Sequence, residues 1–504
     1  MVKRLVAVSL IVGLSAVALT TCGSSTKTTT APANGTVFAF MGDAPLCDVL
    51  SFRAMISGFT LTSSGGGLVV NVLNPNSSDV KIDFAGLRDL STVLALGSVP
   101  PGTYDQMTLS FSFGQIVVYD PTQSPPTRTI GLTFSNAKPL VMISPALVVV
   151  SSKPIALQID FDLRHSVHLD ANGQVIGTST PVLTATPVAA SGNQGFGQMH
   201  DLVGFVESVS TFSANTNFIG SFTLQLLSGT GPALAVNLTS SSQVCGPAPG
   251  NDQPCTPLTL PQLLTGSFAE VDGFLGSDGN FVATDVEIEG QEVVENNMIA
   301  EIGDVVSVTR DASDNLTQFQ LFVREEEPDD EFSITLDSTV VVNVTPSTIY
   351  QFSSRASNFA AVPFDSTSIN TGQELVVHGV FTTPPSTGGP ATLPVTVAAD
   401  RIYLKLQSHD GNFASLVQAA GDNQTGVFIF TPCASLSQRA PIMVFTSNSA
   451  TTFSNVEGLN QLTRQPALVV QGLLFYEPKA TTINGVSVPA GTWVLLASRI
   501  HQLV

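Results

Sequence analysis

Charge is scarce in this chain. Asp, Glu, Lys and Arg make up only 12% of its 504 residues, and 19 basic residues face 39 acidic ones, for a net charge of −20. That balance excludes nucleic acid as a partner, because phosphate backbones are held by clustered Lys and Arg that release counterions, and no such stripe runs along the sequence. Histidine is rarer still, with 6 residues and no motif around any of them. Gly-x-Ser-x-Gly, His-Glu-x-x-His, Gly-x-x-x-x-Gly-Lys and a strand-following Gly-x-Gly-x-x-Gly are all missing, so the usual local signatures of hydrolases, zinc peptidases and nucleotide-binding proteins are absent. The expectation is therefore a protein that is not an enzyme. Because a triad can assemble from distant residues, a secreted hydrolase acting on glycan or peptide stays open as the alternative. Runs of Ala, Leu, Glu and Lys at 3.6-residue spacing are missing as well, which excludes a helical domain.

What is abundant is apolar residue and turn former. Hydrophobic residues are 43% of the chain, with 41 Gly, 31 Pro and 30 Phe among many Val and Thr. This is enough apolar surface for a folded protein, and the residue types favour extended chain punctuated by turns, so the fold class is all-β. The length exceeds one hydrophobic core and calls for several domains.

The first residues read as a targeting segment, with Lys3 and Arg4 followed by an apolar run from Leu5 to Leu19. At about 15 residues the run is shorter than the ~20 a helix needs to cross hydrocarbon. Its removal would take the net charge from −20 to −22. The sequence Leu19-Thr20-Thr21-Cys22-Gly23-Ser24 then resembles the lipobox of bacterial lipoproteins, which implies lipidation of Cys22 and a membrane partner through that anchor. Gly23 rather than Asp after the cysteine resembles lipoproteins sent to the outer membrane, facing either side of it. Ordinary secretion with cleavage after Ala16-Val17-Ala18 is the competing reading.

Four further cysteines remain. Cys245 and Cys255 bracket a Pro- and Gly-rich loop, and in an oxidising envelope they are the expected disulfide, whereas Cys47 and Cys433 have no local partner.

The pattern divides the chain into 1–21 as signal peptide, 22–35 as flexible tether and 36–190 as a β-sandwich, with Val37–Phe40, Val69–Val72, Met107–Phe113 and Leu157–Leu163 among its strands. Ser191–Gly197 reads as a linker. Three tandem small β-barrel or barrel-like domains follow at 200–295, 299–408 and 409–504. They rest on a repeat that places Ala269, Leu375 and Leu468 two residues before Val271, Val377 and Val470, then a glycine at 273, 379 and 472 suited to a bulge. Each copy opens on a Val-bearing strand, at Gly204–Val206, Ile302–Val305 and Leu416-Val417. Each closes on a strand containing Ala283, Ala399 or Ala497.

Gly42-Asp43-Ala44-Pro45, Leu50-Ser51, Ile56-Ser57-Gly58-Phe59-Thr60-Leu61, Val99-Pro100-Pro101-Gly102-Thr103-Tyr104 and Leu157–Leu163 together resemble a family of bacterial envelope proteins, domain of unknown function 4382. The later repeats are similar to the small β-domains of domain of unknown function 5666. Neither resemblance implies an activity or catalytic residues. Locally, Asp43-Ala44-Pro45 fits a chain reversal.

Two constellations invite a metal. Asp160, Asp162, Arg164, Ser166 and His168 fall at period two on one strand face, and Asp160, Asp162 and His168 are ligand types. A solvated strand face is the simpler reading. Glu325, Glu326, Glu327, Asp329, Asp330 and Glu331 crowd a segment between two strands, where calcium would prefer such oxygens. A solvated hairpin loop is again simpler, so the expected cofactor is none, with a calcium-dependent binding module as the exception. Asp278-Gly279-Asn280, Asp170–Gly173 and Asp410-Gly411-Asn412 read as hairpin tips, and His378 as an outward polar position. The expected role is a non-catalytic envelope lipoprotein, acting as spacer or binding scaffold for envelope protein or glycan.

Overall fold

The computed structural model describes residues 33–44, 49–73, 80–87, 92–170, 174–190, 195–211, 217–226, 233–246, 256–257, 259, 263–289, 298–327, 337–352, 362, 364–383, 395–433, 441–464 and 467–502. Among them no helix is long and apolar enough to cross a membrane.

Val, Phe, Thr and Leu runs of the first domain become β1 (Gly35–Ala44), β2 (Val49–Ser63), β3 (Val69–Asn71), β4 (Val80–Asp83), β5 (Thr92–Val99) and β6 (Gly102–Tyr119). They continue as β7 (Thr127–Phe134), β8 (Leu140–Val149), β9 (Pro154–Asp162), β10 (Val167–Leu169), β11 (Val175–Ser179) and β12 (Leu183–Val188). One layer is β5-β1-β9-β12, and the other is built on β2, β6, β7 and β8. The two join where Ala185 of β12 meets Ile143 of β8. Alternate side chains from both layers fill the core, among them Phe52, Phe84 and Phe161 with ring centroids 4.5–6.1 Å apart. Of Asp43-Ala44-Pro45, Asp43 and Ala44 are strand rather than turn, and Pro45 lies outside the described residues. Together with Gly42 these two extend β1, parallel to Asp160, Phe161 and Asp162 of β9. The Pro100–Tyr104 motif closes on itself, since buried Tyr104 donates its phenol to the Pro100 carbonyl at 2.8 Å.

The first repeat is β13 (Gly197–Thr211), β14 (Gly220–Leu226), β15 (Leu234–Gly246), β16 (Thr256–Pro257), β17 (Phe268–Leu275) and β18 (Phe281–Glu289). The second is β19 (Met298–Arg310), β20 (Leu316–Glu327), β21 (Thr339–Asn343), β22 (Ile349–Phe352), β23 (Glu374–Thr383) and β24 (Thr396–Leu404). The third is β25 (Leu406–Ala419), β26 (Gly426–Pro432), β27 (Ile442–Thr446), β28 (Thr452–Ser454), β29 (Leu468–Glu477), the hairpin β30 (Thr481–Ile483) and β31 (Val486–Val488), and β32 (Thr492–Gln502).

All three share one topology of five barrel strands. The first pairs with the second and fourth, the second with the third and the fourth with the fifth. A parallel pair of third and fifth closes the ring: β15 with β18, β21 with β24 and β27 with β32. A five-stranded Greek-key barrel of this order is the OB fold.

The repeat seen in sequence has a geometric basis. Ala269, Leu375 and Leu468 are fully buried and lie opposite Gly204, Gly303 and Gly411 on the first strand of their barrels. The bulge falls immediately before Gly273, Gly379 and Gly472, where an added Cβ would meet a carbonyl oxygen across the hairpin at 2.4, 2.3 and 2.2 Å. A hydroxyl donor recurs too, at the irregularity within β15 in the first barrel and just after the third strand in the other two. Ser242, Thr348 and Thr451 donate to the carbonyls of Ala283, Ala399 and Ala497 at 2.6, 2.9 and 2.6 Å.

Asp410-Gly411-Asn412 is thus no hairpin tip. It lies within β25, which starts at Leu406, and Leu416-Val417 is the far end of that strand. Asp278-Gly279-Asn280 does turn a hairpin, between β17 and β18, with the Asp278 carboxylate accepting from the Asn280 N–H at 3.0 Å.

Candidate functional site

The domains are not beads on a string. On β1, Val37, Ala39 and Met41 point into the sandwich, whereas Phe38 and Phe40 point out and join the core of the first barrel with Phe196 and Met199. On β26, β27, β29 and β32, Phe428, Ile442, Val470 and Leu495 fill the third barrel. Their neighbours Val427, Met443, Phe445, Leu473, Phe475 and Val494 belong to a cluster shared with the second barrel. A strand buried on both faces loses its polar alternation, which is why β27 reads Ile-Met-Val-Phe-Thr. Each large side chain buried this way contributes about 1.5–3 kcal/mol.

Charge pins the seam between the sandwich and the second barrel. Leu50 and Val117 meet Val306 and Phe322 there. Beside them Arg53, 5% exposed, reaches Asp337 of the barrel at 2.9 Å, the Arg324 carbonyl, and Asp83 of its own domain at 3.7 Å. Asp83 is held by N–H groups of Phe52 and Ala85 at 2.9 and 3.1 Å. Burial pushes the Asp337 carboxyl above its ordinary value, and Asp83 adds to the push while Arg53 and Lys81 oppose it.

The polar line continues on the second barrel, at strand positions adjacent to the core residues Val305, Val323 and Leu375. Arg324 contacts Glu374 at 3.3 Å and Asp304 at 3.8 Å, and Lys405 contacts Glu374 at 3.9 Å. Gln407 accepts from the Glu374 N–H at 2.9 Å and donates to the Gly372 carbonyl at 3.0 Å. Gln373 then donates across the next seam to the Leu474 carbonyl at 3.0 Å. Such buried charge pairs are weak evidence of added stability, because the cost of desolvating both partners offsets their attraction.

OB barrels commonly bind ligands on the face of their second and third strands and the loops beside it. In the third barrel that face carries Val427, Met443 and Phe445, which lie in the shared cluster with the β30–β31 hairpin residues Ile483 and Val488 and with second-barrel residues. The surface is spent on domain packing. A concavity remains between the sandwich and the first barrel, a groove of about 600 Å³ lined by Lys153, Pro154, Ile155, Val188, Phe196 and Asp278 among others. An added Cβ on Gly279, at the β17–β18 tip, would meet Pro154 at 3.1 Å, so this hairpin forms one wall.

The residues singled out in the sequence fall elsewhere. Asp160 and His168 do not share a strand face. β9 ends at Asp162, which caps a one-turn helix, α1 (Leu163–Ser166), and accepts from the His165 N–H at 3.0 Å. Ser166 turns inward, fully buried, and accepts from the Val182 N–H at 2.9 Å, while His168 on β10 bonds Thr180 at 2.8 Å. Burial raises the Asp160 carboxyl, with Asp162 adding to it. Asp160, Asp162 and His168 form no metal cluster, and among the described residues no three His, Cys, Asp or Glu side chains gather as one.

Glu325, Glu326 and Glu327 are not in a loop. They extend β20 opposite Ile302, Glu301 and Ala300, while Asp329, Asp330 and Glu331 lie outside the described residues. His378 is not outward. It is 8% exposed, its ring centroid lies 5.2 Å from that of Tyr403, and burial holds its pKa down at about 4. Asp272 and Gln471, at the same repeat position, are equally buried.

Cys245 is buried at the end of β15, opposite Pro257. Cys22, Cys47 and Cys255 lie outside the described residues. Sequence reasoning missed Arg53 and Asp337 because they are 284 positions apart. The available signal was an isolated Arg in the apolar run from Val49 to Met55.

No curated protein matches the chain. Among solved structures it is similar to drosophila Unr CSD456, at 10% identity and a TM-score of 0.14, over 60% of this chain and 97% of that one. It is also similar to the single-stranded DNA binding protein from Thermus aquaticus, at 13% identity and a TM-score of 0.14, over 41% and 93%. Residues 34–176 match the family described as Domain of unknown function (DUF4382), so the first domain, from β1 into β11, carries that family's pattern.

Proposed function

We propose that this chain is a non-catalytic bacterial envelope lipoprotein, exported and anchored through acylated Cys22, that serves as a rigid tethered spacer or binding scaffold for envelope protein or glycan. The observation carrying this reading is the welding of its domains. Apolar clusters cross three boundaries and the Arg53–Asp337 pair fixes one of them, which suits a part that holds distance and orientation. The resemblance of Leu19–Cys22 to a lipobox supports the anchor. The groove beside Lys153 and Asp278 is where a partner segment would sit, with apolar walls for contact and two charges for orientation. A Cys245–Cys255 disulfide belongs to the same proposal. Pairing of Cys245 with Pro257 and of Gly246 with Thr256 brings the flanking chain into antiparallel register.

The test is crosslinking in intact cells, followed by purification and mass spectrometry of the mature chain. Acyl groups on Cys22 together with reproducible partner proteins or glycan support the reading. A mature chain beginning after Ala18, without acyl groups and with no crosslinked partner, sinks it.

A further inference from the structure

We propose that the outward face of β8 rests on a phospholipid surface, holding the sandwich domain against the membrane that bears the anchor. The inference builds on the lipoprotein reading. Along β8 Val141, Ile143, Leu147 and Val149 enter the core, while Leu140, Met142 and Val148 face outward at 61%, 58% and 52% exposure, with exposed Ser144 and Pro145 between the two halves of the stripe and Val150 extending it just past the strand. Scattered exposed aliphatics are ordinary, but a stripe on one strand face marks a contact surface. The outward register neighbours on β6 are Thr103, Gln106 and Thr108, with Asp105 at the bulge between Tyr104 and Gln106.

Two observations choose lipid as the occupant. The first is the entry point of the chain. Ser152 donates its N–H to the Asn34 carbonyl at 3.1 Å, and the Thr36 N–H donates to the Lys153 carbonyl at 3.1 Å, so the tether from Cys22 enters the fold at the Val150 end of the stripe. The residues between Cys22 and Asn34 span at most about 40 Å when extended, and β8 itself is about 33 Å long, so lipid holding Cys22 is within reach of the whole stripe. The second is charge. Exposed Lys138 and Lys153 flank the two ends of the stripe in a chain of net charge −20. Aliphatic side chains bracketed by lysines match an interface of acyl chain and anionic headgroup.

The experiment uses the full mature chain with Cys22→Ser, so that no acyl anchor contributes, floated with vesicles of phosphatidylethanolamine and phosphatidylglycerol. The unacylated chain is expected to float with these vesicles, and less with phosphatidylcholine alone. Combined Leu140→Ser, Met142→Ser and Val148→Ser should lower partitioning at least tenfold with an unchanged melting temperature, and Lys138→Glu with Lys153→Glu should lower it on anionic vesicles only. If the serine variant melts early, a lipid-accessible spin label at position 142 replaces it as the readout. No flotation of the parent overturns the proposal, as does equal flotation of the serine variant. A parent that is dimeric while the serine variant is monomeric, neither floating, assigns the stripe to a second copy instead. Acyl mass on Cys22 is measured separately, so the anchor and the docking face fail or stand independently.

Discussion

Single residues in this protein matter most where they are polar and enclosed. His378 is neutral because its site excludes water, so its folded pKa of about 4 lies below the ordinary 6.5. The unfolded chain then binds a proton that the folded chain refuses, and the stability tied to this residue is whole above pH 6.5 and lost as pH falls towards 4. The full difference is about 3 kcal/mol. Replacing it by the residue at the equivalent position of the third barrel, His378→Gln, should flatten the fall in melting temperature between pH 6.5 and 4. An unchanged pH profile would show that the imidazole is solvated. Arg53 tests charge instead. Arg53→Met leaves the Asp337 carboxylate enclosed without its cation, and removing one member of a buried pair costs about 3–5 kcal/mol. Arg53→Met with Asp337→Leu should recover most of that loss, as read by denaturant titration.

At the scale of elements, the repeat was legible because its markers are steric. A glycine is required at 472 by space: its Cβ would sit 2.2 Å from the Leu496 carbonyl oxygen, and Gly472→Ala should destabilise by about 1–3 kcal/mol, as overpacking does. Gly485, at the β30–β31 turn, has open space around it but a φ of +79°, so Gly485→Ala should cost only about 1–2 kcal/mol, through backbone conformation alone. Melting curves of the two variants separate the causes. The paired positions Ala269, Leu375 and Leu468 could be read for the same reason, since a buried strand face shows as period-two apolarity. Period two misled where it ran past the end of a strand. Asp162 and Ser166 are the cap and the last residue of a helical turn, and nothing in alternating sequence announces a four-residue helix. Asp410-Gly411-Asn412 misled in the opposite sense, because turn chemistry was read where a glycine serves close packing against Thr431.

The whole molecule is governed by side chains that belong to two cores. Residues 298–504, holding the second and third barrels, should unfold in one transition with a single denaturant midpoint, because Val427, Phe445, Leu473 and Phe475 lie in their common cluster. Residues 406–504 alone would expose that face and should bind a hydrophobic dye and self-associate on size exclusion. A monomeric, dye-silent third barrel would mean that the shared cluster adds little.

Composition and period by themselves determined that this protein is all-β, that a sandwich precedes three small barrels, and where the barrel glycines fall. Those properties follow from near neighbours on a strand, which is information a linear pattern holds. Only the tertiary structure decided that Phe38 and Phe40 serve the next domain, that Arg53 meets Asp337, and that the third barrel's outer face is covered. The reason is physical. An apolar residue buried in its own core and one buried in a neighbour's lose water equally, so sequence records that a face is dry without recording what dries it.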